Sequence, residues 1–208
     1  MLSNDWIRPA APADVPRIVE MIRGLAAHEG RPELAVCTAA AIAGALFGEP
    51  ARAEAVVLIA ARGEHDHGDT HGHRRSVEAR GTLVEARGTV NAEARGTEHE
   101  IVGYGWLYVL VPTFLGRQVM HLEDLYIEPG ARGRGLGRRF MAWLAAEAVS
   151  RGCVGVEWHV QEDNPRAIEF YEALGARRRT GALTYRLSDE ALTRAAASAA
   201  AAAQERRA

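Results

Sequence analysis

The sequence predicts an α/β (α+β) fold with the element order β-α-α-β-β-β-α-β-α-β. Short, branched apolar runs such as 55–60 are too short for helices and predict buried strands. Other segments repeat apolar residues every 3.6 positions and begin or end at capping residues, as amphipathic helices do. In the middle of the chain, a strand at 120–127 runs through a glycine-rich turn into one of these helices.

Composition predicts one soluble domain. The 208 residues are 48% hydrophobic, which is enough for one sizeable core, and no stretch approaches the ~20 apolar residues of a membrane span. The start has no basic region followed by an apolar one, so we expect no signal peptide and a cytoplasmic protein. A net charge of -2 argues against a nucleic-acid or membrane-surface binder.

The central turn predicts a phosphate site. Arg132-Gly-Arg-Gly-Leu-Gly137 stands directly before a helix with Leu136, Phe140 and Leu144 on one face. Its glycines leave backbone N–H groups uncovered at a helix N-terminus, where the aligned peptide dipoles favour an anion. The guanidinium groups of Arg132, Arg134 and Arg138 add charge-assisted donors.

The spacing of this turn argues against two common nucleotide motifs. A G-x-G-x-x-G fingerprint beginning at Gly133 requires glycine at 138, which is arginine, and the turn contains no G-K-[ST] of a P-loop. What remains is R-x-x-G-x-G at 132–137. A glycine-rich turn that binds nothing is the alternative, but the strand before it and the amphipathic helix after it favour an anion site.

The first half of the chain predicts strand, helix, helix, strand, strand. A short strand at 6–8 precedes a helix that Asp14 caps and Gly30 ends, and Thr38 caps a second, shorter helix. Strands follow at 55–60 and at 101–111, the latter interrupted by two glycines.

An insert at 62–100 separates those two strands. It holds four histidines within 65–73 and three copies of Glu-Ala-Arg-Gly-Thr, at 78–82, 85–89 and 93–97. A His-rich tract can bind a transition metal, but nothing here fixes a tetrahedral geometry. With few apolar residues to pack, the insert is interpreted as an elongated, mostly disordered hairpin loop with no metal role.

The second half predicts a strand at 153–160 and a helix at 167–174 that Asn164 caps, with Pro165 in its first turn. Two short strands are expected near 177–179 and 183–187. From 188 the tail is alanine-rich and helix-prone but lacks a stripe of large apolar residues, so we expect a frayed or solvated helix.

Three motifs together resemble the GNAT superfamily of N-acetyltransferases, in its diamine (spermidine/spermine) N-acetyltransferase branch. They are Leu-Glu-Asp-Leu-Tyr at 122–126, the turn at 132–137, and Asn164-Pro165 followed by Phe-Tyr at 170–171 and Leu-Gly-Ala at 174–176. The resemblance covers nearly all of 1–187 outside the insert and leaves 188–208 as a tail. It implies a single N-acetyltransferase domain whose twisted sheet is mixed, mostly antiparallel, flanked by helices, and contains a splayed parallel strand pair. His28 and Asp163 depart from the family pattern near the acceptor pocket.

The resemblance also implies the position of acetyl-CoA, as a cosubstrate with no metal. Its pantetheine is expected to pair with the backbone of the strand, and its pyrophosphate to lie on the amides of the turn. The expected contacts are Leu125, Tyr126, Ile127, Arg132, Gly133, Arg134, Gly135, Leu136, Gly137, Arg138, Asn164 and Ala167.

Glu123 and Tyr171 are the expected catalytic residues. A primary amine with a pKa of about 10.4 is mostly protonated at pH 7, and Glu123 is expected to remove its proton directly or through water; binding the cation is the alternative. Tyr171 is implied as the acid or hydrogen-bond donor at the departing sulfur. We expect the acceptor pocket to use His28, Glu29, Glu123, Asp124, Glu157 and Trp158, with Glu33 as a further negative charge.

The sequence therefore predicts an N-acetyltransferase of small di- or polyamine-like amines that works by direct transfer, as a homodimer by analogy. Amino-acid, drug or protein amines are alternative acceptors. An acyl-CoA-binding or metal-sensing module without catalysis is the alternative from another class.

Overall fold

The structure is a computed structural model that describes residues 6–61 and 99–205. In chain order its elements are β1 Ile7–Pro9, α1 Val15–His28, α2 Ala39–Phe47, β2 Glu54–Ala61, β3 His99–Leu110, β4 Val119–Ile127, α3 Leu136–Ser150, β5 Val156–Trp158, α4 Pro165–Glu172 and α5 Asp189–Glu205. The five strands form one sheet in the order β1-β2-β3-β4-β5. The first three pairings are antiparallel and β4 pairs with β5 in parallel. This mixed sheet with its one parallel pair confirms the predicted fold class.

The chain separates into two compact units that divide between His159 and Val160. The first unit contains the whole sheet with α1, α2 and α3, and the second contains α4 and α5. A single domain over 1–187 with a tail at 188–208 stays a prediction. Most of the insert, 62–98, including the four histidines within 65–73 and the three repeats, lies outside the described residues, and its last two positions already belong to β3. Within the described ranges, no helix is both long enough and apolar enough to cross a membrane.

One face of the sheet packs against α1 and α2. Ile18 and Met21 of α1 are almost fully buried against Val57 and Tyr104 of the sheet. Burying a large apolar side chain stabilises a fold by about 1.5–3 kcal/mol, so these contacts fix α1 firmly on this face. The end of α1 is thereby fixed close to β4.

The opposite face packs against α3 at Gly105. A Cβ atom at this position would lie 2.6 Å from Cε2 of Phe140, so only glycine lets the helix approach the sheet this closely. Because Phe140 is fully buried, this contact also sets where the first turn of α3 begins relative to β4.

Two of the three predicted helix caps are confirmed. Thr38 Oγ1 accepts from Ala41 N at 3.2 Å, and Asn164 Oδ1 accepts from Ala167 N at 3.1 Å. Asp14 occupies the N-cap position of α1 but its side chain does not cap the helix, so that prediction is wrong. Its carboxylate accepts from Arg8 at 2.6 and 2.9 Å, because a charge-assisted pair outcompetes a helix amide.

The two short strands predicted near 177–179 and 183–187 are wrong. Both stretches lie outside regular secondary structure, and the side chains of Leu183, Tyr185 and Leu187 are largely exposed. A strand requires a neighbour for its backbone groups, and among the described residues none pairs with this stretch. The predicted strand at 153–160 is also shorter, because only Val156–Trp158 pairs with β4. The alanine-rich tail is helical over Asp189–Glu205, as its composition predicts.

Candidate functional site

The turn between β4 and α3 leaves backbone amides without helical partners. Gly133 and Gly135 have φ values of 79° and 75°, a left-handed conformation that favours glycine. Gly135 is the N-cap of α3 and no side chain caps the helix. The first bond back into the turn runs from Arg139 N to Gly135 O at 3.0 Å. The backbone amides of 136–138 lie before this first helical bond, so no carbonyl oxygen four residues earlier accepts from them.

The space above this turn is open. A Cβ atom built on Gly133 or Gly135 would meet no protein atom within 4 Å, and the side chains of Arg134 and Arg138 are exposed nearby in sequence. Open space over uncapped amides at the positive end of a helix fits a phosphate group. The predicted cofactor roles of 133–138 stay predictions that this geometry supports, although Leu136 is itself buried in the core.

Arg132 is oriented back toward the sheet. Its Nε donates to the carbonyl oxygen of Ile127 at 2.8 Å, and its Cζ lies 5.7 Å from the centre of the Tyr126 ring. These contacts tie the turn to the end of β4. If Arg132 contacts a phosphate, it does so with its remaining N–H groups, because Nε is bonded to β4.

The pairing of β4 with β5 ends at Leu122. The parallel pairing consists of Met120 with Val156, His121 with Glu157 and Leu122 with Trp158, and β4 then continues to Ile127. Among the described residues, no strand pairs with Leu125–Ile127 on that side. The predicted pantetheine-binding stretch thus lies at an unpaired edge of β4, beyond the end of β5. Tyr126 itself is buried, with its ring centre 6.4 Å from that of Tyr104.

Glu123 lies at a β-bulge in β4. Trp106 faces Asp124 and Leu107 faces Leu122, so Glu123 is an additional residue in β4 without a partner in β3. A bulge redirects the side chain of the additional residue. The Glu123 carboxylate accepts from Tyr108 Oη at 3.0 Å, and 52% of its side chain is exposed. Burial and the neighbouring carboxylates raise the pKa of Tyr108 to about 12, so this hydroxyl remains a donor at neutral pH.

His121 lies beside this carboxylate and is 3% exposed. Its Nε2 is 3.6 Å from Glu123 Oε2, and its Nδ1 is 3.6 Å from Glu157 Oε1. The ring of Tyr108 stacks on it at 4.7 Å, and the ring of His159 lies 5.2 Å away. The bulge thus places the Glu123 carboxylate on one side of the imidazole, and the parallel strand pair places the Glu157 carboxylate on the other.

Asp124 joins a second group of polar residues on the face that α1 covers. It accepts from Tyr104 Oη at 2.9 Å. Burial raises the pKa of Asp124, and the negative charges of Glu123 and Glu29 raise it further, against the lowering effect of the Tyr104 hydrogen bond. Three carboxylates therefore lie within electrostatic range of one another, which creates a negative potential suited to a cation.

The remaining predicted acceptor residues are distributed around this region. Glu29 and His28 are exposed at the C-terminal end of α1. Glu157 and Trp158 are half-buried on β5 and face His121 and Leu122 in the strand register. The structure thus brings Glu123 and Glu157 together on either side of His121, and the charges of Glu123 and Glu29 both act on Asp124. Within the described ranges, no hydrogen bond or ion pair connects His28 to them.

The other predicted residues belong to the second unit. Asn164 and Ala167 form the cap of α4 described above, and Tyr171 lies on the same helix with Phe170, ring centres 5.0 Å apart. Burial raises the pKa of Tyr171, so its hydroxyl is protonated at neutral pH. The catalytic roles of Glu123 and Tyr171 stay predictions.

Sequence reasoning missed three residues of this region. Tyr104, Tyr108 and His121 supply its hydrogen bonds and its buried imidazole. The available signals were an isolated histidine within the otherwise apolar start of β4 and aromatic residues at every second position of β3, which share one face. In the part of the chain that the structure describes, no group of three or more His, Cys, Asp or Glu side chains could hold a metal ion.

Comparison with known sequences finds relatives that acetylate amines. The sequence matches the profile of the acetyltransferase (GNAT) family over residues 60–176. It is 37% identical over 95 residues to a thialysine N-epsilon-acetyltransferase of Mus musculus, which covers 44% of this chain and 55% of that protein. The chain thus spans about half the length of that relative. It is 28% identical over 179 residues to an L-ornithine N5-acetyltransferase of Arabidopsis thaliana, with 82% and 78% coverage.

Comparison with solved structures supports the fold. An aminoglycoside acetyltransferase from an uncultured soil metagenomic sample superposes with a TM-score of 0.58 at 15% identity, over 88% of this chain and 95% of that one. An acetyltransferase of Trypanosoma brucei gives a TM-score of 0.54 at 21% identity, over 87% and 98%. At these identities the likeness concerns the arrangement of the strands and helices only.

Proposed function

The chain belongs to the acetyltransferase (GNAT) family, and from that premise we propose that it transfers the acetyl group of acetyl-CoA directly to a primary amine of a small, di- or polyamine-like molecule. The observation that carries this proposal is the position of Glu123. Its carboxylate projects from a bulge at the point where the pairing of β4 with β5 ends, on the strand that leads into the uncapped turn.

The turn and the unpaired edge of β4 supply what the donor requires. A pyrophosphate on the amides of 133–138 receives several N–H donors and the positive end of α3. The backbone of Leu125–Ile127 offers strand-like hydrogen bonds to the pantetheine arm, and an amide near Leu125 is suited to the developing oxyanion. Arg134 and Arg138 add charge around the phosphates.

The carboxylates supply what the acceptor requires. Asp124 feels the negative charges of Glu123 and Glu29, and Glu157 lies on the other side of His121 from Glu123, so this region attracts an alkylammonium ion. Presenting the free amine at pH 7 costs roughly 4 to 5 kcal/mol for an amine with a pKa of about 10.4. Glu123 removes this proton, directly or through a water molecule, and binding in a negative pocket keeps the cation close to its base.

The reaction then proceeds without an acyl-enzyme. The amine nitrogen forms a bond to the acetyl carbon, the carbon–sulfur bond breaks, and the thiolate leaves. Tyr171 supplies a hydrogen bond or a proton to that sulfur; its raised pKa keeps the hydroxyl protonated at neutral pH and favours the hydrogen bond over full proton transfer. Asn164 and Ala167 are assigned to the pantetheine arm by family resemblance.

An amino-acid acceptor is the second candidate. The ornithine relative aligns over 82% of this chain, and both ornithine and thialysine carry an amine at the end of a short side chain. The same carboxylates would receive that amine, while the amino-acid carboxylate would require a positive partner. We also propose that the protein is cytoplasmic and forms a homodimer, by analogy with the family.

A panel of amines tests the proposal. Purified protein is mixed with acetyl-CoA and, separately, putrescine, spermidine, ornithine, lysine, thialysine and an aminoglycoside, and the release of free thiol is followed. Turnover with a diamine or polyamine supports the first acceptor class, and turnover with ornithine or thialysine alone supports the second. Tight binding of acetyl-CoA without thiol release for any amine would favour a non-catalytic acyl-CoA-binding module.

A further inference from the structure

His121 is a buried polar side chain without hydrogen bonds. It is 3% exposed, and neither of its ring nitrogens has a hydrogen-bond partner among the described residues. Buried polar groups in folded proteins are nearly always paired, so an exception requires an explanation. The ring of Tyr108 stacks on the imidazole and explains its orientation, but not its unpaired nitrogens.

A carboxylate faces each of these nitrogens. Nε2 lies 3.6 Å from Glu123 Oε2 and Nδ1 lies 3.6 Å from Glu157 Oε1. The other titratable groups around the ring are Tyr108, which donates to Glu123, and His159, whose ring lies 5.2 Å away. The imidazole therefore lies between two acids that are one small ring tilt away from hydrogen-bonding distance.

The row formed by Glu123, His121 and Glu157 lacks one proton when the imidazole is neutral and both carboxylates are ionised. A neutral imidazole has one N–H and one lone pair, so it can donate to only one of two ionised carboxylates. Its lone pair then faces the oxygen of the other, which is repulsive. One additional proton turns the ring into an imidazolium that donates to both. The row Glu123–His121–Glu157 is thus complete only after it receives a proton.

We propose that His121 holds the proton that Glu123 takes from the acceptor amine. In this step the N–H bond of the ammonium breaks and the proton passes to Glu123 Oε2. It then passes to His121 Nε2, which restores the Glu123 carboxylate and forms an imidazolium that donates to Glu123 and, through Nδ1, to Glu157. After the acetylated product leaves, water accepts the proton through the partly exposed Glu123, and no electrons are gained or lost.

This inference rests on the proposed acetyl transfer and assigns His121 a positioning role, since it acts through Glu123. Glu157 stabilises the charged ring, and its half-buried place on β5 opposite His121 is explained by this role. The arrangement lets Glu123 act as a base without remaining protonated beside the newly formed amide.

The test compares His121→Asn with a control, His99→Asn, which changes an exposed histidine at the start of β3. With the amine that the panel identifies, we expect His121→Asn to lower kcat about 10- to 100-fold. The KM of the amine should change less than about two-fold, because binding of the cation is left to the carboxylates. The control should keep the wild-type values.

Chemical rescue separates proton transfer from packing. In His121→Ala, added imidazoles of equal size but different basicity should restore kcat, and the restored rate should rise with the pKa of the additive. Rescue that depends only on the size of the additive, an unchanged kcat in His121→Asn, or an effect on KM alone would overturn the proposal.

Glu157→Gln provides a second route if the His121 variants do not fold, which thermal unfolding will show. It should lower kcat, and in a foldable double variant with His121→Asn the loss should not increase further, since both act in one step. A wild-type kcat in Glu157→Gln would contradict the proposal. Failure of the wild-type protein to acetylate any amine would instead contradict the proposed function.

Discussion

Two glycines at opposite ends of α3 allow the coenzyme site to be tested with an internal control. Gly135 precedes the helix with φ 75° and Gly152 follows it with φ 73°. At both positions a Cβ atom would meet nothing within 4 Å of the protein. Replacing either by alanine therefore imposes the same backbone strain and creates no clash within the chain.

The two alanine variants should differ in CoA affinity but not in stability. A left-handed conformation costs a residue with a Cβ atom roughly 1–2 kcal/mol, so Gly135→Ala and Gly152→Ala should lose similar stability. Only Gly135→Ala alters the turn whose amides are proposed to hold the pyrophosphate, by straining its backbone and adding a methyl group beside it. Losing one charge-assisted hydrogen bond costs about 1.5–3 kcal/mol, which corresponds to a rise of roughly 10- to 150-fold in the Kd for CoA.

The assay combines calorimetric titration of CoA with thermal unfolding of both variants. We expect similar falls in Tm, of about 2–4 °C per kcal/mol for a chain of this size, and weakened CoA binding in Gly135→Ala alone. The same Kd for CoA in both variants, whether unchanged from the wild type or raised equally, would refute the assignment of the turn to the phosphates.

Three further predictions address the chemistry and the fold. Glu123→Gln should lower kcat on the order of 100-fold with little change in CoA affinity, because the amide keeps the shape but accepts no proton; calorimetry and initial rates measure both, and a wild-type kcat would exclude Glu123 as the base. Tyr171→Phe should lower kcat about 10-fold or more without weakening CoA binding, since it removes one donor to the sulfur; a loss confined to stability would assign Tyr171 to packing. The hydrogen bonds from Arg8 lower the pKa of Asp14, so this carboxylate contributes stability above the unfolded pKa of about 3.9 and loses it as the pH falls through its folded value. Asp14→Asn should therefore cost about 1 to 2 kcal/mol at pH 7, reduced by the exposure of Arg8, and progressively less at acid pH in denaturant titrations; a cost independent of pH would contradict this reading.

Local signals in the sequence were sufficient for the turn and for most element boundaries. Gly133 and Gly135 mark a left-handed turn because few other residues adopt positive φ, and Thr38 and Asn164 mark helix starts because their side chains accept from nearby amides. These features depend on residues within a few positions of one another. The fold class followed from their order.

Features that depend on strand pairing could not be predicted in the same way. The bulge at Glu123 arises from the register between β3 and β4, and the contact of His121 with Glu157 arises from the parallel pairing with β5. Nothing near Asp14 in sequence shows that Arg8 outcompetes the helix amides for its carboxylate. The absent strands at 177–187 show the converse, since strand propensity without a neighbour to pair with produces no sheet.

A calorimetric comparison of acetyl-CoA with acetyl-pantetheine, the same thioester without the pyrophosphate and nucleotide, isolates what the turn contributes to coenzyme binding. If the amides of 133–138 bind the pyrophosphate next to the unpaired edge of β4, acetyl-CoA should bind on the order of 100-fold more tightly, and added salt should reduce the difference. Equal affinity for the two thioesters, or no measurable binding of acetyl-CoA, would contradict the account.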